Sequence, residues 1–128
     1  MSKNKKILVM DDDDMILALV TSILEHHDYV TETAYNGDIA CEKYQQAMND
    51  ESTFDLVIID LTIPAGMGGE EAVLEILKID PDAKCVVSSG YALDPIMTNF
   101  SDYGFKGAIN KPFEVSELLA TLTTIINN

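Results

Sequence analysis

The sequence predicts an α/β protein: a three-layer sandwich in which a five-stranded parallel sheet, ordered 2-1-3-4-5, lies between two layers of helices. Three observations carry this. Short apolar runs alternate with amphipathic stretches five times along the 128 residues, with no repeat, low-complexity segment or linker. The runs ILVM (7–10) and LVII (56–59) are apolar throughout, as strands covered on both faces are. Four of the runs end in polar groups, which a parallel sheet collects along one edge.

Residues 6–10 (KILVM) form the first strand and run straight into Asp11-Asp12-Asp13-Asp14. Ile16, Leu19, Val20, Ile23 and Leu24 then recur at helical spacing, with Asp13 or Asp14 suited to the N-cap or first turn. Residues 29–34 (YVTETA) alternate in part and make a second, less buried strand. Asn36-Gly37 marks a turn, and Ala40, Tyr44, Ala47 and Met48 form the face of a weaker second helix. After a polar loop over 49–53, the third strand spans 55–60 and ends on Asp60. Pro64, Gly66, Gly68 and Gly69 then bend the chain. The third helix covers 70–79, with Val73, Ile76 and Leu77 inward, and Asp80-Pro81-Asp82 breaks it. Residues 83–89 (AKCVVSS) form the fourth strand, which Gly90 ends. Asp94 and Pro95 make an N-cap and first-turn pair for a fourth helix with Leu93, Ile96, Met97 and Phe100 on one face. Gly104 and Gly107 frame a turn, and residues 108–111 form the fifth strand before Pro112. Val115, Leu118, Leu119, Leu122 and Ile125 line the last helix. Five such units fit the flavodoxin-like order 2-1-3-4-5, with strands 1 and 3 central and the switch point between them.

Bulk properties bound the function. The length predicts one domain over residues 1–128, burying roughly two-thirds of the unfolded surface without staples. A formal net charge of −14 excludes a nucleic-acid backbone or an anionic membrane as direct partner. The start, MSKNKKILVM, is no signal peptide, because its apolar run is short and meets Asp11 at once. No apolar run reaches membrane-spanning length. Cys41 and Cys85 lack metal-type spacing and read as reduced, packed thiols, so a cytoplasmic location is expected.

Taken singly, an acid after a strand is a helix cap, a serine a turn residue, and a lysine before proline a solvated charge. Asp11, Asp12, Asp60, Ser88, Ser89 and Lys111 on one sheet edge define something more. Converging carboxylates raise one another's pKa, and a hard divalent cation, Mg²⁺ or Mn²⁺, relieves this. Such a cation, a hydroxyl and an amine together bind the oxygens of a phosphoryl group in transfer, and a carboxylate can be its nucleophile. Asp60, alone on the central third strand, is the candidate acceptor. Asp11 and Asp12 hold the metal, and Ser89 and Lys111 bind phosphoryl oxygens. His26 and His27 lie toward the end of the first helix, away from this edge, and read as surface residues. Met67 reads as packing.

ILVMDD (7–12), DLVIID (55–60), Ile63-Pro64, SSGY (88–91) and INKPF (109–113) together resemble the receiver domains of two-component response regulators, over essentially the whole chain. The resemblance implies transfer of a phosphoryl group to Asp60 from the phosphohistidine of a sensor histidine kinase or histidine phosphotransfer protein. It implies Asp12, Asp60 and the Thr62 backbone carbonyl as metal ligands, with Asp11 acting through water. It also implies a signalling domain rather than an enzyme, though one that promotes its own phosphorylation and slow dephosphorylation. Thr62 and Tyr91 flank the site, where side chains admit or block the attacking water, and so are expected to affect hydrolysis in a direction the sequence leaves open. The downstream partner is not legible. The loop Pro64-Ala65-Gly66-Met67-Gly68-Gly69 is one residue longer than the common pattern and lacks its acid, as in receivers attached to hybrid sensor kinases. Ala108 stands where many members carry an aromatic switch residue, which leaves a smaller change, or another face, to carry output.

Three alternatives differ in class. A haloacid-dehalogenase-type phosphatase would use Asp11 and Asp13, but no acid pair follows Lys111 and Asp60 would have no role. An FMN carrier of the same fold would need a hydroxyl- and glycine-rich loop where this chain has four acids. A degenerate receiver serving only as a docking module would not need the complete set of acids, serine and lysine.

Overall fold

The computed structural model describes residues 4–64 and 66–127. The elements are β1 (Lys6–Met10), α1 (Asp14–His26), β2 (Val30–Ala34), α2 (Gly37–Asn49), β3 (Leu56–Asp60), α3 (Gly69–Ile79), β4 (Cys85–Ser89), α4 (Pro95–Thr98), β5 (Gly107–Asn110) and α5 (Val115–Ile126). All neighbouring strands are parallel, in the order β2-β1-β3-β4-β5. The expected architecture is therefore the observed one. No helix among the described residues is long and apolar enough to cross a membrane.

Because successive strand residues point to opposite faces, each central strand feeds two cores. Leu8, Met10, Val57, Ile59, Cys85 and Val87 face α2, α3 and α4, where Ala40, Tyr44, Val73, Ile76 and Met97 meet them. Ile7, Val9, Leu56, Ile58, Val86 and Ile109 face α1 and α5, against Leu17, Val20, Leu24, Leu118, Leu122 and Ile125. Burial on both sides is the reason β1 and β3 need no polar alternation.

Several local expectations are corrected. In α1 the buried stripe runs through Leu17, Val20 and Leu24, while Leu19 is 47% exposed. At 100° per residue Leu19 points about 130° from the centre of that stripe, so the expected face was rotated too far. Leu93 precedes the Asp94 cap, lies outside the helix and is exposed. The fourth helix stops after one turn and continues as a 3-10 turn over Phe100–Tyr103, ending at Gly104 with φ +96. Asn99, Ser101 and Asp102 supply little helix propensity, which accounts for the short run. Val115, expected to line the last helix, is 43% exposed. β5 ends at Asn110, one residue before Lys111, and the Lys111–Pro112 bond is cis.

Candidate functional site

The parallel register lines up the carboxyl ends of the strands. Met10 pairs with Ile59, Asp60 with Ser88, and Ser89 with Asn110. The ladder runs on beyond the strands: Asp11 N–H donates to Ala34 O at 3.0 Å, Leu61 N–H to Ser88 O at 2.9 Å, and Lys111 N–H to Ser89 O at 2.9 Å. Asp11, Asp60 and Lys111 are thus fixed by backbone pairing before their side chains contribute anything.

The four-acid run divides cleanly. Asp13 is the N-cap of α1, its carboxylate accepting from the amides of Met15 (2.9 Å) and Ile16 (3.4 Å). Asp14 occupies the first helical turn, where negative charge is favoured. Asp11 is buried, and its Oδ1 accepts from Asp13 N–H at 3.0 Å. Asp12 is exposed at the rim. One carboxylate oxygen from each of Asp11, Asp12 and Asp60 lies within 4.8 Å of the others.

Lys111 directly follows β5, two strands and about 10 Å from β3, and lays its ammonium between the two buried acids. Nζ is 2.6 Å from Asp11 Oδ2 and 3.2 Å from Asp60 Oδ1. Asp60 is only 4% exposed. Burial, followed by the charge of Asp11, pushes its carboxyl up to about 6, although Lys111 and the Thr62 amide pull the other way. Burial alone would lower the Lys111 ammonium; its hydrogen bonds to Asp11 and Asp60 and their charges outweigh that and raise it. One lysine does not neutralise two buried carboxylates with a third at the rim. The donor set, all oxygen with surplus negative charge, suits a hard divalent cation.

Ser88 and Ser89 are both buried at the same edge, and Ser89 Oγ accepts from Tyr91 N–H at 3.0 Å. Thr62 and Tyr91 are exposed beside it. His26 and His27 are exposed at the C-terminal end of α1, remote from the cluster. The two thiols are packed: burial raises Cys41 to about 11 and Cys85 to about 12. Met67 lies half-buried, its Sδ 3.9 Å from Cys41 Sγ.

One arrangement was not legible in the sequence. The loop after β3 is tied to the start of α2: Gly37 N–H donates to Met67 O at 2.7 Å, and Met67 N–H donates to Asp38 Oδ2 at 3.0 Å. These partners are about thirty positions apart and obey no local periodicity. Only the extra residue and the glycines of the loop hinted at an unusual path.

A doubly wound sheet with its ligand edge at the β1–β3 switch point, acids at that edge and a lysine reaching in from just past β5 defines a class: flavodoxin-like α/β proteins of the CheY type. Residues 7–123 match the response regulator receiver domain, and the chain belongs to that family, the receivers of two-component signalling. A chemotaxis protein CheY from Thermotoga maritima is 33% identical over 122 residues, covering 94% of this chain and 97% of the relative. A CheY-like receiver domain from Methanospirillum hungatei superposes with a TM-score of 0.85 at 27% identity, covering 98% of this chain and 95% of that one. A response regulator from Burkholderia pseudomallei, solved with a phosphorylated aspartic acid, a calcium ion and citrate, has a TM-score of 0.80 at 25% identity. It covers 97% of this chain, which spans 69% of that protein.

Proposed function

We propose that this receiver accepts a phosphoryl group on Asp60 from the phosphohistidine of a sensor histidine kinase or histidine phosphotransfer protein in the cytoplasm. The new state is then passed to a protein partner. The observation that carries this is the setting of one carboxylate. Asp60 is buried at the central strand end, 3.2 Å from the Lys111 ammonium and within 4.8 Å of two further acids. The phosphorylated aspartic acid of the Burkholderia pseudomallei relative supports the same chemistry here.

In the transfer, an Asp60 oxygen forms a bond to phosphorus while the bond from phosphorus to the imidazole nitrogen breaks. The electron pair of that bond leaves with the imidazole, which takes up a proton. With its carboxyl near 6, Asp60 is mostly ionised at neutral pH and so competent as a nucleophile. Lys111 is placed to follow the charge from the carboxylate onto the phosphoryl oxygens, and the buried Ser89 hydroxyl offers a second contact at the same edge. Asp12, Asp60 and the Thr62 carbonyl would hold Mg²⁺ or Mn²⁺, with Asp11 acting through water. Such a cation, when bound, neutralises charge on the transferring group. The same groups serve slow hydrolysis of the acyl phosphate, so the protein is a signalling domain that assists its own modification.

The test is intact mass after incubation with acetyl phosphate and Mg²⁺. One phosphoryl group is expected, absent in EDTA and absent in Asp60→Asn. Modification that persists in EDTA or in the variant overturns the assignment.

A further inference from the structure

The segment between β3 and α3 leaves the sheet and returns to almost the same point. A Cβ on Gly69, the first residue of α3, would stand 2.5 Å from the Asp60 carbonyl oxygen and 3.0 Å from Leu61 Cα. The start of α3 is therefore pressed onto the backbone of Asp60 itself. The described residues at the two ends of this segment, Leu61 and Gly69, thus lie against one another. The returning side, at Gly66 and Met67, meets the start of α2.

The contact is specific at each position. Met67 both donates to Asp38 Oδ2 and accepts from Gly37 N–H, a two-point clamp across the same residue. A Cβ on Gly37 would fall 2.7 Å from Met67 Cγ, 2.9 Å from Met67 Cβ and 2.9 Å from Ala72 Cβ, so only glycine lets the two backbones approach. Gly66 has φ +83, and a Cβ there would lie 2.9 Å from Asn36 Nδ2 and 3.2 Å from Asp38 Oδ2. Asn36 is itself engaged as the N-cap of α2, accepting from Ile39 N–H at 3.0 Å, and cannot easily give way. The Met67 side chain then packs toward Cys41.

We infer that Asp38, through Met67, is a positioning residue for the acidic site: by fixing the returning side of the β3–α3 connection it restricts Thr62, five residues earlier, to the place where its carbonyl can ligate a divalent cation. This rests on the proposed role of the Thr62 carbonyl. Asp38 is not one of the three acids whose oxygens converge at the site. It removes loop conformations that the site would otherwise have to order on binding, and removing such freedom in advance strengthens binding.

The test is Mg²⁺ titration by calorimetry with wild type, Asp38→Ala and Asp38→Asn, together with amide exchange at Met67. Asparagine keeps an oxygen that can accept from Met67 N–H but removes the charge, so the pair separates the clamp from simple electrostatics. One exposed hydrogen bond is worth about threefold to tenfold in an equilibrium. Asp38→Ala is expected to weaken Mg²⁺ by that factor and to speed Met67 exchange, while Asp38→Asn stays within about twofold of wild type. Unchanged affinity in Asp38→Ala, or equal weakening in both variants, overturns the inference while leaving the metal site intact. A wild type that binds no Mg²⁺ overturns the proposed metal site itself, and the inference with it.

Discussion

Replacing Asp60 by asparagine is expected to stabilise the metal-free protein at alkaline pH, even though it removes the residue on which function turns. The folded chain holds the Asp60 carboxyl at about 6, against an ordinary value of 3.8, because the group is buried beside Asp11. Between those values the folded state binds the proton more tightly than the unfolded state. Stability from the neutral acid is fully present below pH 3.8 and is lost as pH rises through about 6. A shift of roughly two units corresponds to about 3 kcal/mol of strain carried by the ionised form. Asparagine has the shape of the neutral acid and cannot ionise, and Lys111 keeps its 2.6 Å contact with Asp11. The assay is urea denaturation in EDTA at two pH values. At pH about 8 the variant should exceed wild type by about 2–3 kcal/mol, and at pH about 4 the difference should nearly vanish. A variant that is no more stable than wild type at alkaline pH would refute the view that Asp60 is held as a strained, under-neutralised carboxylate. Adding Mg²⁺ should narrow the gap by stabilising wild type more than the variant.

Other outcomes follow from the same contacts. Lys111→Met removes the ammonium that pulls Asp60 down, so the Asp60 titration, followed by carboxyl carbon NMR, should move above about 6. Asp13→Ala should cost about 1 kcal/mol in denaturation through the lost helix cap while leaving Mg²⁺ affinity unchanged. Asp12→Ala should do the reverse, abolishing most of the thermal shift given by Mg²⁺ with little loss of metal-free stability. Tyr44 is fully buried and donates to Asp80 Oδ2 at 2.7 Å, so Tyr44→Phe should cost about 1–2 kcal/mol with no change in metal binding.

The parts of this protein that were legible in sequence are those set by periodicity and by strand ends. An unbroken apolar run identifies a doubly covered strand, and the residue after it is delivered to the ligand edge whatever the helices do. Asp11, Asp60 and Lys111 were therefore placeable without coordinates, although Lys111 proves to lie one residue past β5. The phase of α1 was not. A stripe of apolar residues wider than the buried face cannot by itself show whether Leu17 or Leu19 is inward, and the packing of α1 on Ile7, Val9 and α5 decides it. The short α4 was obscured because Phe100 continues an apolar pattern that polar residues around it no longer support as α-helix. The Asp38–Met67 clamp was invisible because it joins the first turn of α2 to a connection about thirty residues away, a pairing that no local residue pattern marks.

The central claim is that the acyl phosphate forms on Asp60. The most direct measurement treats the protein with phosphoramidate, whose nitrogen–phosphorus bond resembles that of phosphohistidine, in the presence of Mg²⁺. Borohydride reduction then converts any aspartyl phosphate to homoserine for location by tandem mass spectrometry. Homoserine at position 60 alone, with none in EDTA, is the predicted result. Homoserine at Asp11, a borohydride-resistant phosphate on Ser89, or no modification at all would contradict it.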